Sequence, residues 1–262
     1  MSKSLSAFIY GLSAVIGIAA FAYPFILASM PEASAAGAQA APLMTTALLG
    51  LCLLALLIEV QGEVVSAKVV ATLGMLVALA SVLRFVETAI PGPGGFSPIF
   101  VPIILAGYVF GARFGFLMGA MTLLVSALLT GGVGPWLPYQ MFVSAWVGFS
   151  AGWLPHPRNP RLEMGLLIAF GVGWGLLYGL LTNLYFWPFF IGETAMRYQP
   201  GGGAVLALQR YTAFYLASSL LWDLLRAAGT GLLLLVAGQP VVRALARFRD
   251  RFQFSLAEAP GG

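Results

Sequence analysis

One serine and one histidine have types and spacing that could do chemistry. Ser150 lies in Gly148-Phe149-Ser150-Ala151-Gly152, which matches the G-x-S-x-G pattern, and His156 is the only histidine in the chain. A nucleophilic serine needs a base within hydrogen-bond reach. We place His156 in a loop just beyond the helix that carries Ser150, and the five-letter pattern is common in Gly/Ser/Ala-rich helices. An intramembrane serine hydrolase or protease is therefore the alternative hypothesis, not the favoured one.

Other kinds of catalytic or metal site find little support. The sequence has no G-x-x-x-x-G-K-[ST] motif, its only lysines are Lys3 and Lys68, and Cys52 is its single cysteine. These counts argue against a phosphate-binding loop and against a cysteine metal site. Nor does the chain contain the row of buried carboxylates and histidines that proton-coupled pumps use. We expect no enzyme activity, no metal and no covalently bound cofactor.

Two charges stand inside an apolar helix near the end of the chain. Asp223 and Arg226 are three residues apart, so they share one helix face. An unpaired charge at the membrane centre costs at least about 3 kcal/mol. We expect an intramembrane ion pair here, either between these two residues or with a neighbouring helix.

Aromatic and polar residues are clustered in the stretches that join the apolar segments. Aromatic rings there serve as interfacial anchors or as a platform for a ligand, and an apolar pocket with a few polar groups is the usual form of a binding site. The combination with polar residues favours a site. The expected substrate-binding residues are Arg84, Phe96, Trp136, Tyr139, Gln140, Trp146, Asn183, Phe186 and Trp187.

The composition indicates what kind of scaffold must position these residues. Of the 262 residues, 60% are hydrophobic and only 8% are charged, against about 25% charged in soluble domains. Continuously apolar runs of about 20 residues predict membrane-spanning helices. We therefore expect an all-α integral membrane protein. Its net charge of +4 is explained by arginines in loops, and no nucleic acid is implied.

Eight spanning helices are expected in chain order. They cover residues 7–30, 43–60, 67–87, 97–111, 115–130, 137–154, 163–191 and 211–238. The positive-inside rule then assigns both termini to the cytoplasmic side of the membrane. Three joints share the outer face, where a solute would arrive: 91–98, 131–138 and 192–210.

Three parts of the chain follow from this arrangement. Residues 1–62 form an N-terminal transmembrane hairpin, 63–240 contain the remaining six helices and 241–262 form a basic cytoplasmic tail. The tail is amphipathic and is expected to lie on an anionic membrane leaflet. Two helices carry small residues that permit close helix crossing. These are Ala71, Gly74, Ala78 and Ser81 in one, and Gly171, Gly173, Gly175 and Gly179 in the other.

The central run GFSPIFVPIILAGYVFGARFGFLMGAMTLLVSALLTGGVGPWLPYQMFVSAWVG, with NLYFWPF and WDLLRAAGTGLLLLVAGQPVVRAL after it, resembles a known family. It is similar to the S component, the substrate-binding membrane subunit, of energy-coupling factor (ECF) transporters, and to their cobalamin-type subgroup. The likeness covers residues 66–252, and GGVGPWLPYQM at 131–141 is its most specific piece.

The resemblance implies a function, partners and a location. It makes residues 63–240 a six-helix substrate-binding core in a prokaryotic cytoplasmic membrane. S components have a six-helix core that binds a vitamin-like micronutrient at the outer face. They dock on a transmembrane coupling subunit bridged to two ATPase subunits, which alone use ATP, and they topple to release their cargo. A cobalamin-like cargo is favoured, with another vitamin or precursor as an alternative. The family's first core helix often contacts the coupling subunit, which points to Ala71, Gly74 and Ala78 as docking residues. The two leading helices are additional to this core.

Overall fold

The computed structural model describes residues 3–30, 45–47, 49–51, 53–54, 67–89 and 95–257, and the regular elements within them are all helical. The helices are α1 Lys3–Ala28, α2 Ala67–Ala89, α3 Phe100–Phe110, α4 Ala112–Thr130, α5 Leu137–Ala151, α6 Pro160–Phe186, α7 Ala204–Ser218, α8 Leu220–Leu233 and α9 Gln239–Ala257. Four described stretches are long and apolar enough to cross a bilayer: Ala67–Ala89, Ala112–Thr130, Pro160–Phe189 and Leu220–Arg251.

The expected all-α membrane architecture is confirmed, whereas the count of eight spans stays a prediction. The second expected helix, at 43–60, is helical at those of its residues that the structure describes. Most of that segment, together with Cys52 and the first part of the joint at 91–98, lies outside the described residues.

The short helix α3 forms the centre of the core. It has 11 residues, too few to cross a bilayer upright at a rise of about 1.5 Å per residue. Its residues Ile103, Ile104 and Leu105 are fully buried, and it contacts α2, α4, α5, α6, α8 and α9. A helix that is buried on all sides is apolar on all sides. The run IILAGYV accordingly carries no polar face.

Glycines set the closest helix contacts around this centre. A Cβ on Gly115 of α4 would lie 2.1 Å from the carbonyl oxygen of Gly148 in α5, and a Cβ on Gly148 would lie 2.0 Å from that of Gly115. The two backbones therefore touch where both residues lack a side chain. Gly148 belongs to the G-x-S-x-G match, so helix packing accounts for this glycine.

A second glycine face lies on α6, and it faces α8. A Cβ on Gly171 would clash with the side chain of Leu234, one on Gly175 would lie 2.5 Å from the Cα of Ala227, and one on Gly179 would overlap the carboxylate of Asp223. These three glycines are four residues apart and share one helix face. The fourth glycine of the sequence pattern, Gly173, points elsewhere and would have nothing within 4 Å.

The expected polar segment at 192–210 and single helix at 211–238 are wrong. Positive φ angles of 72° at Gly201 and 87° at Gly203 end the loop, and α7 begins at once with Ala204. The helix then breaks at Ser219, which has φ −128°, beside Ser218, whose hydroxyl donates to its own helix at the Phe214 carbonyl. Serine pairs of this kind are known sites of helix kinks.

The C-terminal tail is a continuation of the last span. α8 passes through a π-helical turn, Leu234–Gly238, directly into α9. The tail then packs against the end of α3, where Arg249 donates to the carbonyl of Val109 at 3.0 Å. The amphipathic helix is as expected, but its apolar side faces this chain at least in part, since Val242 is buried.

The glycine face of α6 yields a matched pair of variants. Gly175→Ala should lower the free energy of unfolding by about 1–3 kcal/mol, the usual cost of overpacking a tight contact, because the new methyl group meets the backbone of Ala227. Gly173→Ala adds the same methyl group in open space and should be neutral. Reversible unfolding in mixed micelles measures both, and equal losses would contradict the assigned helix face.

Candidate functional site

A polar cavity of about 310 Å³ opens between five helices and one loop. Its polar lining comes from Arg84 and Glu87 of α2, Ser97 of the loop, Gln140 of α5 and Arg226 of α8. The loop is fixed to α2 because the Ser97 hydroxyl donates to the Glu87 carboxylate at 3.1 Å. The arrangement places two guanidinium groups, one carboxylate and one amide around a space large enough for a small molecule.

Three aromatic side chains complete the walls of this polar cavity. They are Phe100 at the start of α3, Tyr178 of α6 and Trp222 at the start of α8. The Phe100 and Tyr178 rings meet edge to face with centroids 4.8 Å apart. Flat apolar walls beside a few directed polar groups are the usual composition of a small-molecule site.

The expected ion pair between Asp223 and Arg226 is present, and it holds Arg226 at the edge of the polar cavity. The two side chains contact each other directly, with Asp223 almost fully buried. Arg226 also donates to the carbonyl of Gly175 at 3.4 Å and lies over the Tyr178 ring at 5.2 Å from its centroid. Gly179 makes room for the carboxylate. The glycine face of α6 thus positions a charge as well as a helix.

The polar cavity lies at the end of the bundle where the expected outer joints meet. Arg84 and Glu87 are in the last turns of α2, Gln140 is in the first turn of α5, and Trp222 is in the first turn of α8. The loop residues Gly95 and Ser97 close the same end. The opposite end carries the loop at 152–159 and α9.

The structure brings two of the nine expected binding residues to the polar cavity, Arg84 and Gln140. Phe96 is next to the lining but packs its ring where a Cβ of Gly229 would be. Trp136 and the exposed Phe186 face each other with centroids 6.3 Å apart. Asn183 is half-buried on α6 and is not part of the lining. A binding role for these four residues stays a prediction.

The three remaining aromatic residues pack against α1. Phe21 meets the ring of Tyr139 at 5.2 Å and that of Trp146 at 5.6 Å. Phe25 meets the ring of Trp187 at 5.9 Å. The Tyr139 hydroxyl also bonds the Ala20 carbonyl at 3.2 Å. The extra N-terminal helix therefore occupies the aromatic surface that the sequence suggested for a ligand.

The same helix fastens the loop that precedes α7. The Tyr198 hydroxyl donates to the Pro24 carbonyl at 3.0 Å, and the amide of Gly203 donates to the Ala28 carbonyl at 2.7 Å. Burial raises the pKa of Tyr198 to about 12. The hydroxyl therefore stays protonated at physiological pH and remains a hydrogen-bond donor. The loop at 198–203 is thus tied to α1.

Sequence reasoning missed Ser97, Phe100, Tyr178 and Trp222 as lining residues. Two signals were available. Trp222 and Arg226 are four residues apart and so share a face of α8. Tyr178 follows Gly175 by three residues and so shares the side of α6 that faces α8. Glu87, which was not among the expected binding residues, is also part of the lining.

Ser150 and His156 have other partners. The Ser150 hydroxyl donates to the Trp146 carbonyl at 2.6 Å and accepts from the Trp174 indole at 3.1 Å. The His156 ring stacks on Tyr108 with centroids 4.2 Å apart. Gly152 is a packing glycine, because its Cβ would lie 2.2 Å from the amide nitrogen of Ala112. These contacts give each residue of the motif a structural role.

The expected docking residues on α2 are exposed at the surface. Ala71, Gly74 and Ala78 are exposed, and a Cβ on Gly74 would have nothing within 4 Å. Ser81, by contrast, is fully buried. The small residues at 71, 74 and 78 therefore do not serve packing within the described part of the chain.

Fold and cavity together define a helical membrane protein with a polar cavity at one end. A family model described as "ECF transporter, substrate-specific component" matches residues 68–238. This is well over half of the chain, and the chain belongs to that family. Its members are transport subunits that associate with a transmembrane coupling subunit and ATPase subunits. Searches of curated proteins and of solved structures found no significant match. The family resemblance is confirmed, and the cobalamin-type subgroup stays a prediction.

The Asp223–Arg226 pair predicts a non-additive pair of substitutions. Asp223→Asn alone should destabilise the ligand-free protein by about 3–5 kcal/mol, because it leaves a buried guanidinium without its counter-charge. Arg226→Gln should have a similar effect. The double variant should recover a large part of the loss. Unfolding in mixed micelles gives all three values, and simple additivity would show that the pair is not coupled.

Proposed function

We propose that this chain is the substrate-specific subunit of an ECF-type, ATP-driven importer and captures a micronutrient in the polar cavity at the outer face. The observation that carries the proposal is the convergence of five helices and a loop on the charged and aromatic lining around Arg84, within a chain of the S-component family. Residues from distant parts of the sequence meet there, as in the pockets that bind small molecules.

The topology indicates the side of the membrane to which the polar cavity opens. The positive-inside rule places Arg158 and Arg161 and the arginines of α9 in the cytoplasm. The polar cavity is at the other end of the helices and hence opens to the outside. Both termini are cytoplasmic in this proposal. ATP is used by the partner ATPase subunits.

The size and charge of the polar cavity favour a smaller cargo than the expected cobalamin-like ligand. A cobalamin-like ligand is large and amphipathic, so it would need a binding surface of aromatic side chains with few charges. Tyr139, Trp146 and Trp187 instead pack against α1. The volume of about 310 Å³ is at the lower limit of roughly 300–1,000 Å³ for sites of drug-sized ligands. A corrinoid is therefore the competing cargo, against which a smaller ligand has to be tested.

Filling the polar cavity tests whether it is the binding site. Protein purified without ATP should retain a small molecule, detected by mass spectrometry after extraction. Gln140→Trp places a bulky ring in the lining and should remove the bound molecule, at least tenfold by amount. Gln209→Trp makes the same change at an exposed position of α7 and serves as the control. Equal retention in both variants would place the ligand elsewhere.

We propose that the exposed small residues of α2 dock on the coupling subunit. Gly74 leaves its helix backbone accessible, which permits close approach of a partner helix. Exposed apolar neighbours, Met75 and Leu79, extend the surface. Lipid chains also cover apolar surface. Small residues, however, form a groove into which a second helix packs closely, and lipid needs no such groove.

A bulky side chain on α2 should separate docking from folding. Gly74→Trp should reduce co-purification with the coupling subunit at least tenfold, while the unfolding temperature of the isolated chain is unchanged because the site is open. Leu216→Trp, at an exposed position of α7, is the matched control and should co-purify normally. Loss of the complex in both variants, or in neither, contradicts the docking surface.

A further inference from the structure

We infer that the cargo is a small monocarboxylate whose carboxylate pairs with Arg84 and whose hydrogen-bond donors are read by Glu87 and Gln140. The inference rests on the proposed function, since it specifies what the polar cavity binds.

Arg84 is the group in the polar cavity that still needs a partner. Its Nε is buried and has no hydrogen-bond partner in the described part of the chain. Buried polar groups are almost always hydrogen-bonded, so an orphaned donor in a cavity indicates a partner from outside the chain. Glu87 is on the same side of α2 and attracts Arg84 electrostatically, but its carboxylate accepts a hydrogen bond from Ser97 and does not bond the Arg84 Nε. A carboxylate ligand would satisfy Arg84 with two parallel hydrogen bonds.

The second guanidinium limits the charge of the ligand. Arg226 is already bonded to Asp223 and to the Gly175 carbonyl, so its charge is balanced within the protein. Arg84 is the guanidinium of the lining with a hydrogen-bond donor to spare, and Glu87 attracts it electrostatically. A dianionic phosphate would meet too little positive charge and would be repelled by Glu87. A cationic ligand would be repelled by Arg84 and would leave its donors without an acceptor. A single carboxylate matches this balance.

The rest of the lining selects hydrogen-bond donors on the cargo. The Glu87 carboxylate is an acceptor, and the Gln140 amide both accepts and donates. Phe100 and Trp222 supply apolar walls between these groups and Arg84. The cargo therefore carries hydroxyl or N–H groups at a distance from its carboxylate, on a body small enough for about 310 Å³.

Pairs of ligands that share a body and differ in the carboxylate test its role. The probes are pantothenate against pantothenol and biotin against biotinamide. Thiamine, pyridoxal phosphate and cyanocobalamin represent a cation, a phosphate and a corrinoid. Calorimetry on the detergent-solubilised chain should show binding of a monocarboxylate and none of its neutral analogue. If only a cation, phosphate or corrinoid binds, the inference is overturned while the proposed function stands.

Variants of Arg84 assign the contact. Arg84→Gln should weaken binding of the monocarboxylate roughly 30-fold or more, as expected for a buried charged hydrogen bond. Arg84→Lys keeps the charge without the planar fork and should lose less. Arg158→Gln, in an exposed loop, is the control and should bind normally. Normal binding by Arg84→Gln, in protein with an unchanged unfolding temperature, would overturn the inference.

A molecule extracted from the purified protein decides the case in which no probe binds. A monocarboxylate identified by negative-ion mass spectrometry supports the inference, and any other class of molecule contradicts it. If no molecule is extracted and no probe binds, the proposed function fails and the inference fails with it.

Discussion

The close contact between α6 and α8 is the constraint on which the site depends. Backbone approach at Gly175 and Ala227 brings the Asp223 carboxylate into the space that a side chain at Gly179 would fill. The carboxylate then fixes Arg226 across the Tyr178 ring. In lipid, helix association relies on packing and on interhelical polar contacts. Here one glycine face supplies the packing, and the charge that it admits supplies part of the cavity lining.

The N-terminal helix changes what the core offers to a ligand. The Tyr139 and Trp187 rings face α1. Phe21 and Phe25 pack against them, and main-chain and tyrosine hydrogen bonds tie the loop at 198–203 to the same helix. The addition removes apolar surface from the site and leaves the charged end around Arg84 and Glu87. The proposed polar cargo fits this arrangement, because an apolar helix occupies the apolar part of the surface.

Sequence patterns predicted the features that one helix determines by itself. The glycine spacing of α6 and the three-residue separation of Asp223 and Arg226 both depend on helical periodicity, and both contacts are present. The position of Arg84 and Gln140 followed from the joints. The sequence could not show which aromatic residues pack against α1 and which face the cavity, because both kinds lie in stretches of similar composition. Spacing also could not locate the break at Ser219, where a short serine pair interrupts an apolar run.

One helix links the two proposed functions of this chain. Ala78, at the end of the docking surface, and Arg84, in the polar cavity, are six residues apart on α2, or about 9 Å along the helix axis. A helix of 23 residues moves as a rigid unit over that distance. A change of tilt at Gly74 therefore also displaces Arg84 and Glu87 against Gln140 on α5. Ligand binding has to be measured in the isolated chain, because in the complex a shift of α2 would alter docking and binding together.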